Sequence, residues 1–270
     1  MLSDKYNSVP AHFLVLPILL LTLSACQTSG GVSGKRSLNT TDWGYSHTTE
    51  VARAGEESQR FELRPGDCGA DSGWSDCDND RSRSEISVSR KWYYGGNKWL
   101  GFSVYLPSDF KTSPRVHTSV GQIHQKGGPT GTASGFKSMP PLMQMNMKGD
   151  VYHMCVHILS GDPKNVVDEC KYLDIAKVSD MRGKWTDIMI NFDTSDDKQI
   201  MDVYVNNTKV SSISNWINFK AKEYYVKYGI YNSFISRHGG LMPTQVLFID
   251  EVKMGDSMES VQINEIDPVD

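Results

Sequence analysis

The sequence predicts an all-β protein, an antiparallel β-sandwich. Three observations carry that expectation. Side chains alternate between apolar and polar in about ten separate segments, the period of a strand with two different faces. Turn residues interrupt them at short intervals, as in sandwiches and barrels. A helical pattern is weakly visible only near Asn215 to Lys222.

The chain has 270 residues. Met1 to His12 is short and polar, with the charge of Lys5 offset by Asp4, and Phe13 to Leu23 is almost wholly apolar. An apolar run of this length ending in small residues reads as an export signal rather than a membrane span. Leu23-Ser24-Ala25-Cys26 resembles a bacterial lipobox, whose cysteine becomes the lipid-bearing first residue. The expected division is a lipoprotein signal at 1–25, a Ser/Gly/Thr tether at 26–42 and one folded domain at 43–270. Gln27 after the cysteine resembles an outer-membrane sorting signal, so an exported, outer-membrane-anchored monomer is expected, touching the membrane through its lipid alone. A formal net charge of −4 argues against a nucleic-acid partner but leaves room for locally clustered Lys and Arg. Beyond Cys26 remain Cys68, Cys77, Cys155 and Cys170, an even number that suits two disulfides in an exported chain. Sequence-local pairing, Cys68–Cys77 and Cys155–Cys170, is the simplest connectivity. No Cys-x-x-Cys pair supports zinc.

The strands follow in order. Phe61 to Pro65 is a short extended piece entering a loop, Gly66 to Asp80. Glu85 to Trp92 sets Ile86 and Val88 against Glu85, Ser87 and Ser89. Trp99 to Leu106 gathers Leu100, Phe102, Val104 and Leu106 on one face. Val116 to Gln125 comes next. Leu142 to Met147 puts Met143, Met145 and Met147 opposite Gln144 and Asn146. Gly149-Asp150 offers a hairpin turn into Val151 to Ile158, with Tyr152, Met154, Val156 and Ile158 inward and His153, Cys155 and His157 outward. Trp185 to Phe192 and Ile200 to Val205 alternate likewise. Asn206-Asn207 turns into Thr208 to Ile213, and Tyr224 to Ser233 and Val246 to Met254 close the series.

Several of these strands carry a polar face of Gln, Asn, His, Arg and Tyr, the composition of a binding groove. Residues two apart in a strand share a face. That pairs Arg83 with Glu85, Gln122 with His124, and Tyr225 with Lys227, Gly229 and Tyr231. A guanidinium, an amide, an imidazole, an ammonium and a phenol on one surface suit β-elimination at a uronic acid. The proton on C5 is scarcely acidic beside a charged carboxylate. Arg83 and Gln122 would neutralise that carboxylate by hydrogen bonding and hold the developing enolate. His124 or ionised Tyr231 would take the C5 proton, and Tyr231 would protonate the departing oxygen. Lys227, Tyr225, Arg81, Gln144, Asn146 and His153 would bind substrate, with His157 as further lining. Lys126, Lys137 and Arg237 sit in Gly-rich or loop segments able to cover the groove. These steps need no cofactor. Asp76, Asp78, Asp80 and Asp250 offer oxygens for structural calcium, but without a defined motif, so a solvated acidic loop is the expectation.

Arg-x-Glu, Gln-Ile-His and Lys-x-Gly-Ile-Tyr, in this order, resemble the signature strands of the jelly-roll polysaccharide lyases. Those include family 7 alginate lyases and the clan of glucuronan and heparin lyases. The stretch Arg64-Pro65-Gly66-Asp67-Cys68 through Trp74-Ser75-Asp76-Cys77 to Glu85 looks more like the latter side. The resemblance implies a concanavalin A-like jelly roll with a concave groove and an anionic polysaccharide substrate, a 1,4-linked uronan. Glucuronan is expected first and alginate second. It also implies carboxylate binding by Arg83 and Gln122, with His124 as base and Tyr231 as acid or acid/base. Two departures argue against alginate: Ile86-Ser87 replaces the usual Leu-Arg after Arg-x-Glu, and Tyr228 stands where alanine is usual.

The bland readings are that Arg83 pairs with Glu85 or the acidic loop, that Tyr231 is a buried tyrosine, and that His124 is structural. The rivals in function are a non-catalytic carbohydrate-binding lipoprotein and a sandwich-fold glycoside hydrolase. The latter's Glu-x-Asp-x-x-Glu strand is approached only by Glu265-Ile266-Asp267-Pro268-Val269-Asp270, whose proline excludes a central strand. An esterase lacks Gly-x-Ser-x-Gly.

Overall fold

A computed structural model describes residues 32–127, 140–162, 165–195, 200–214 and 221–263. The expected leader with Cys26, Lys137, the weakly helical 215–220 and the Glu265 to Asp270 segment lie outside them.

Two seven-stranded antiparallel sheets face each other. The first contains, in spatial order, β1 (Gly34–Ser37), β4 (Arg81–Tyr93), β13 (Glu223–Ser233), β6 (His117–Lys126), β7 (Met143–Lys148), β8 (Val151–Asp162) and β9 (Asn165–Lys177). The second contains β12 (Thr208–Ser214), β11 (Ile200–Val205), β10 (Trp185–Asp193), β5 (Asn97–Tyr105), β14 (Gln245–Gly255), β3 (Ser58–Leu63) and β2 (Tyr45–Thr48). Helix among the described residues amounts to one turn, α1 (Val178–Met181), and a 3-10 turn at Ile235–His238.

The alternation read from sequence is the packing. Ile86, Val88, Ile123, Met143, Met145, Met147, Met154, Val226 and Ile230 meet Phe61, Leu100, Phe102, Val104, Ile188, Ile190, Val203 and Ile249 in one core. Turn chemistry fits the hairpins. Asn206 and Asn207 both adopt positive φ, 47° and 63°, as a two-residue type I′ turn requires. Gly149, at φ 59°, leads the other short turn.

Three strands were not expected. β1 lies inside the supposed tether and pairs with β4, Ser37 opposite Glu85, so the fold begins before Trp43. Its four residues, Gly34-Lys-Arg-Ser, show no apolar pattern because neither face enters the core. β2 is equally short. β9 is an edge strand with only Leu173 and Ile175 buried, which hides its alternation. Both disulfides have the expected connectivity, Cys68–Cys77 and Cys155–Cys170. The second ties β9 to β8.

Candidate active site

Three adjacent strands, β4, β13 and β6, bring the predicted groups to the outer face of the first sheet. In the ladders Tyr231 lies opposite Arg83, Gly229 opposite Glu85, Lys227 opposite Gln122 and Tyr225 opposite His124. The pattern Lys-x-Gly-Ile-Tyr has a local reason. Gly229 has φ 132°, and a Cβ there would run into the Ser84 carbonyl and the Phe61 ring, so β13 passes β4 only without a side chain. β7 and β8 extend the face with Gln144 opposite Gln122 and Asn146 opposite His153. Arg83, Glu85, Gln122, Asn146 and His153 are all buried, so this face is recessed rather than an ordinary solvated sheet surface.

The centre is a buried polar chain. Arg83 donates from Nε and Nη2 to the two oxygens of Asp76, at 2.5 and 2.6 Å, and from Nη1 to Glu85 at 3.2 Å. The other Glu85 oxygen accepts from Gln122 Nε2 at 2.7 Å. Asp76 is wholly buried, accepts also from Trp74 Nε1 at 2.9 Å, and is carried in by the loop that Cys68–Cys77 closes. This corrects one expectation. Arg83 does not present a free fork to a carboxylate, because Asp76 and Glu85 occupy it, as the bland reading held. Its guanidinium instead lies 4.5 Å from the centre of the Tyr231 ring.

Arg81, not Arg83, is the guanidinium at the Tyr231 oxygen: its Nε donates to the Tyr231 hydroxyl at 3.0 Å. Burial raises the pKa of Tyr231 above 10.0, against the pull of Arg83 and Arg81, so the resting group is a phenol. His124 is half-buried and stacked on Tyr225, centroids 5.2 Å apart at 8°. Its Nδ1 lies 3.0 Å from the Gln125 backbone N–H and 3.1 Å from the Gln125 carbonyl oxygen, so either tautomer is satisfied there and Nε2 is the free nitrogen. Burial lowers its pKa to about 4 against the opposing backbone contact with Gln125, with Lys227, His157 and Arg83 adding to the lowering. The imidazole is therefore neutral and weakly basic. Burial likewise pushes Tyr225 up to about 12 and lowers Lys227, whose Nζ donates to Ser37 Oγ of β1 at 3.0 Å. Lys91 Nζ stands 4.8 Å from the Tyr225 ring centre.

Other expected groups behave differently. His157 binds Asp168 through Nδ1 at 2.8 Å, with Nε2 3.4 Å from Cys155 Sγ, and is a strand-bridging residue more than a lining one. Arg237 packs on Phe234 at 4.1 Å, on whose ring Arg81 also lies, at 3.7 Å. The acidic loop does not converge. Asp76 serves Arg83, Asp80 caps the 3-10 turn through Ser236, and Asp250 accepts from the Arg53 and Ala54 amides. No group of three His, Cys, Asp or Glu among the described residues is placed to hold a metal ion. Sequence reasoning missed Ser37 and Phe234, while Asp76 entered it only as one acid of the loop that Arg83 could pair with.

A two-sheet antiparallel jelly roll with cationic, amide, imidazole and phenol groups recessed in one sheet defines a carbohydrate-cleaving sandwich. The sequence model of the polysaccharide lyase family matches residues 27–253, and the chain belongs to that family. It is similar in fold to the endo-β-1,4-glucuronan lyase of the fungus Trichoderma reesei, with TM-score 0.66, 15% identity and coverage of 87% of this chain and 94% of that one. It is also similar to the family 7 alginate lyase A1-II′ in complex with product, with TM-score 0.51, 18% identity and coverage of 81% and 85%. The exolytic PL7 alginate lyase AlyA5 of Zobellia galactanivorans gives 0.52, 12%, 83% and 94%. No curated protein sequence matches with significance.

Proposed function

We propose that this polysaccharide lyase cuts a 1,4-linked uronan, glucuronan-like before alginate, by β-elimination with Tyr231 as both base and acid. The observation that carries the reading is the Tyr231 hydroxyl held by Arg81 and backed by the Arg83 charge. Those two cations stabilise the phenolate against burial, and the phenolate takes the C5 proton. The C–H electron pair forms the C4–C5 double bond, the C4–O4 bond breaks, and Tyr231 returns its proton to O4. In glucuronate and mannuronate the proton and O4 leave from the same side, which one residue can serve. His124, with a pKa lowered to about 4, is a poor base and is better used as an Nε2–H donor to the substrate carboxylate, beside the Gln122 amide. The preference for glucuronan rests on the departures at Ile86-Ser87 and Tyr228. Export and lipid anchoring through Cys26, as a monomer, are part of the proposal. They are supported by the apolar leader and two disulfides.

The test is the ultraviolet absorbance of an unsaturated uronate while the chain is offered glucuronan, polymannuronate, polyguluronate, heparan and hyaluronan. Signal with glucuronan that Tyr231→Phe abolishes is the expected result. Signal confined to polyguluronate, or surviving Tyr231→Phe, defeats the single-residue mechanism.

A further inference from the structure

The polar face continues past the catalytic centre onto β8 and β9. Asn146 and His153 face each other across the β7–β8 ladder, and Cys155 faces Tyr172 across β8–β9. Tyr172 projects from the edge strand and is 56% exposed. Its ring stands edge-on to His153, centroids 4.9 Å apart at 80°, and His117 meets both, 5.3 Å from His153 at 81° and 6.5 Å from Tyr172 at 49°.

Two polar atoms here have no hydrogen-bond partner: the Asn146 side-chain carbonyl oxygen and His153 Nε2. Their residues are only 3% and 6% exposed. Buried polar atoms are ordinarily paired, and an unpaired one bears a desolvation cost that an incoming donor or acceptor removes. The two residues are cross-strand partners, and His153 touches the exposed Tyr172 ring, a setting that a pyranose complements. Its C–H face packs on an aromatic and its hydroxyls both donate and accept.

We propose that Tyr172, His153 and Asn146 form a sugar-binding subsite, remote from the bond being cut, that holds one ring of the substrate chain. The sugar stacks on Tyr172 and exchanges hydroxyl hydrogen bonds with Asn146 Oδ1 and His153 Nε2, with His117 as the inner wall. β8 lies three strands from β13, roughly 14 Å at ordinary strand spacing, so the subsite does not touch the reacting atoms. Tyr172 touches His153 edge-on in the free protein, and the buried Asn146 and His153 atoms become reachable only as its exposed ring shifts to take the sugar. The Cys155–Cys170 disulfide fixes the edge strand that carries it. Both histidines are neutral here. Burial lowers His117 to about 4, helped by His153, Lys148 and Arg237, and lowers His153 against the pull of Asp174. The subsite therefore reads hydroxyls, while carboxylates are read at the cationic centre.

This inference rests on the uronan reading, and the experiment separates the two. The full chain, Tyr172→Ala and Tyr172→Phe are compared on oligouronates of increasing length. Tyr172→Ala is expected to lose about tenfold in kcat/KM on long oligomers and nothing on the shortest one cleaved, with Tyr172→Phe near wild type. A loss equal at every length, or none at any length, overturns the subsite. Should the wild type give no unsaturated product from any uronan, the reaction reading fails and binding alone decides. Affinity electrophoresis through glucuronan, alginate or a neutral β-glucan would then show retardation that Tyr172→Ala loses. Equal migration of the two proteins refutes the subsite.

Discussion

Arg81 Nε donates to the Tyr231 hydroxyl at 3.0 Å, from a position diagonal to it on the neighbouring strand. The bond gives the phenol oxygen a cationic donor, whereas Arg83 faces only the ring. Arg81 lowers the pKa of Tyr231 and burial raises it, so removing Arg81 must raise it further. With the phenolate as base, activity rises with pH on the alkaline side. Arg81→Gln should move that ascending limb upward and cut kcat about ten- to a hundredfold, with a smaller change in KM. A pH–rate profile of both proteins checks this. A limb near pH 4 that ignores Arg81 would mark His124 as the base instead.

Asp76 is the counter-charge that holds Arg83 under Tyr231. Asp76→Asn leaves a buried guanidinium with one carboxylate fewer, a change that costs about 3–5 kcal/mol when a buried ion pair is broken. Denaturant unfolding should show it. Asp78→Asn, on the exposed part of the same loop, should be nearly neutral.

The disulfide around that loop is predicted to matter for the same reason. Replacing Cys68 and Cys77 together by Ser should cost about 2–4 kcal/mol and lower kcat, because the loop then holds Asp76 less firmly. Replacing Cys155 and Cys170 should spare kcat on short oligomers, since that bridge lies away from Tyr231.

Acid should weaken the fold through buried histidines. His117 and His124 both sit near pKa 4 when folded and at 6.5 otherwise, so folding favours their neutral forms. The associated stability is present above about pH 6.5, is lost as pH falls from there, and levels off below about 4. Melting temperatures taken across that range should fall, and His117→Gln should reduce the slope without changing stability at pH 8 as steeply.

How much of this was legible in advance follows from burial. Strands with one face in the core, such as Leu142 to Met147, announced themselves because Met143, Met145 and Met147 alternate with polar neighbours. The polar face was legible because Arg83, Gln122, His124 and Tyr231 sit on strands whose opposite faces are apolar. What stayed hidden were edge strands with little to bury, and contacts made through loops. The Cys68–Cys77 loop folds Asp76 onto Arg83 across seven residues of chain, and no periodicity encodes that. The same blindness turned Ser37 into tether and left Tyr172 without a strand.

β1 offers the sharpest test of that lesson. A chain begun at Trp43, as the sequence alone would advise, loses β1 and with it the Ser37 hydroxyl that receives Lys227 Nζ at 3.0 Å. Lys227 is a partly buried ammonium whose pKa burial already lowers, so losing an acceptor leaves its charge less supported. Without Ser37 it should shift position or give up its proton more readily, and either change weakens its hold on a uronate beside Gln122. A chain begun at Val32 should therefore match the full chain, and the one begun at Trp43 should show KM raised several-fold. Ser37→Ala in the full chain isolates the hydroxyl from the strand. It should reproduce part of the KM increase while the melting temperature stays within about 2 °C, since one partly exposed hydrogen bond contributes only about 1 kcal/mol. Equal KM for all four proteins would refute any contribution of the Ser37–Lys227 contact to substrate binding.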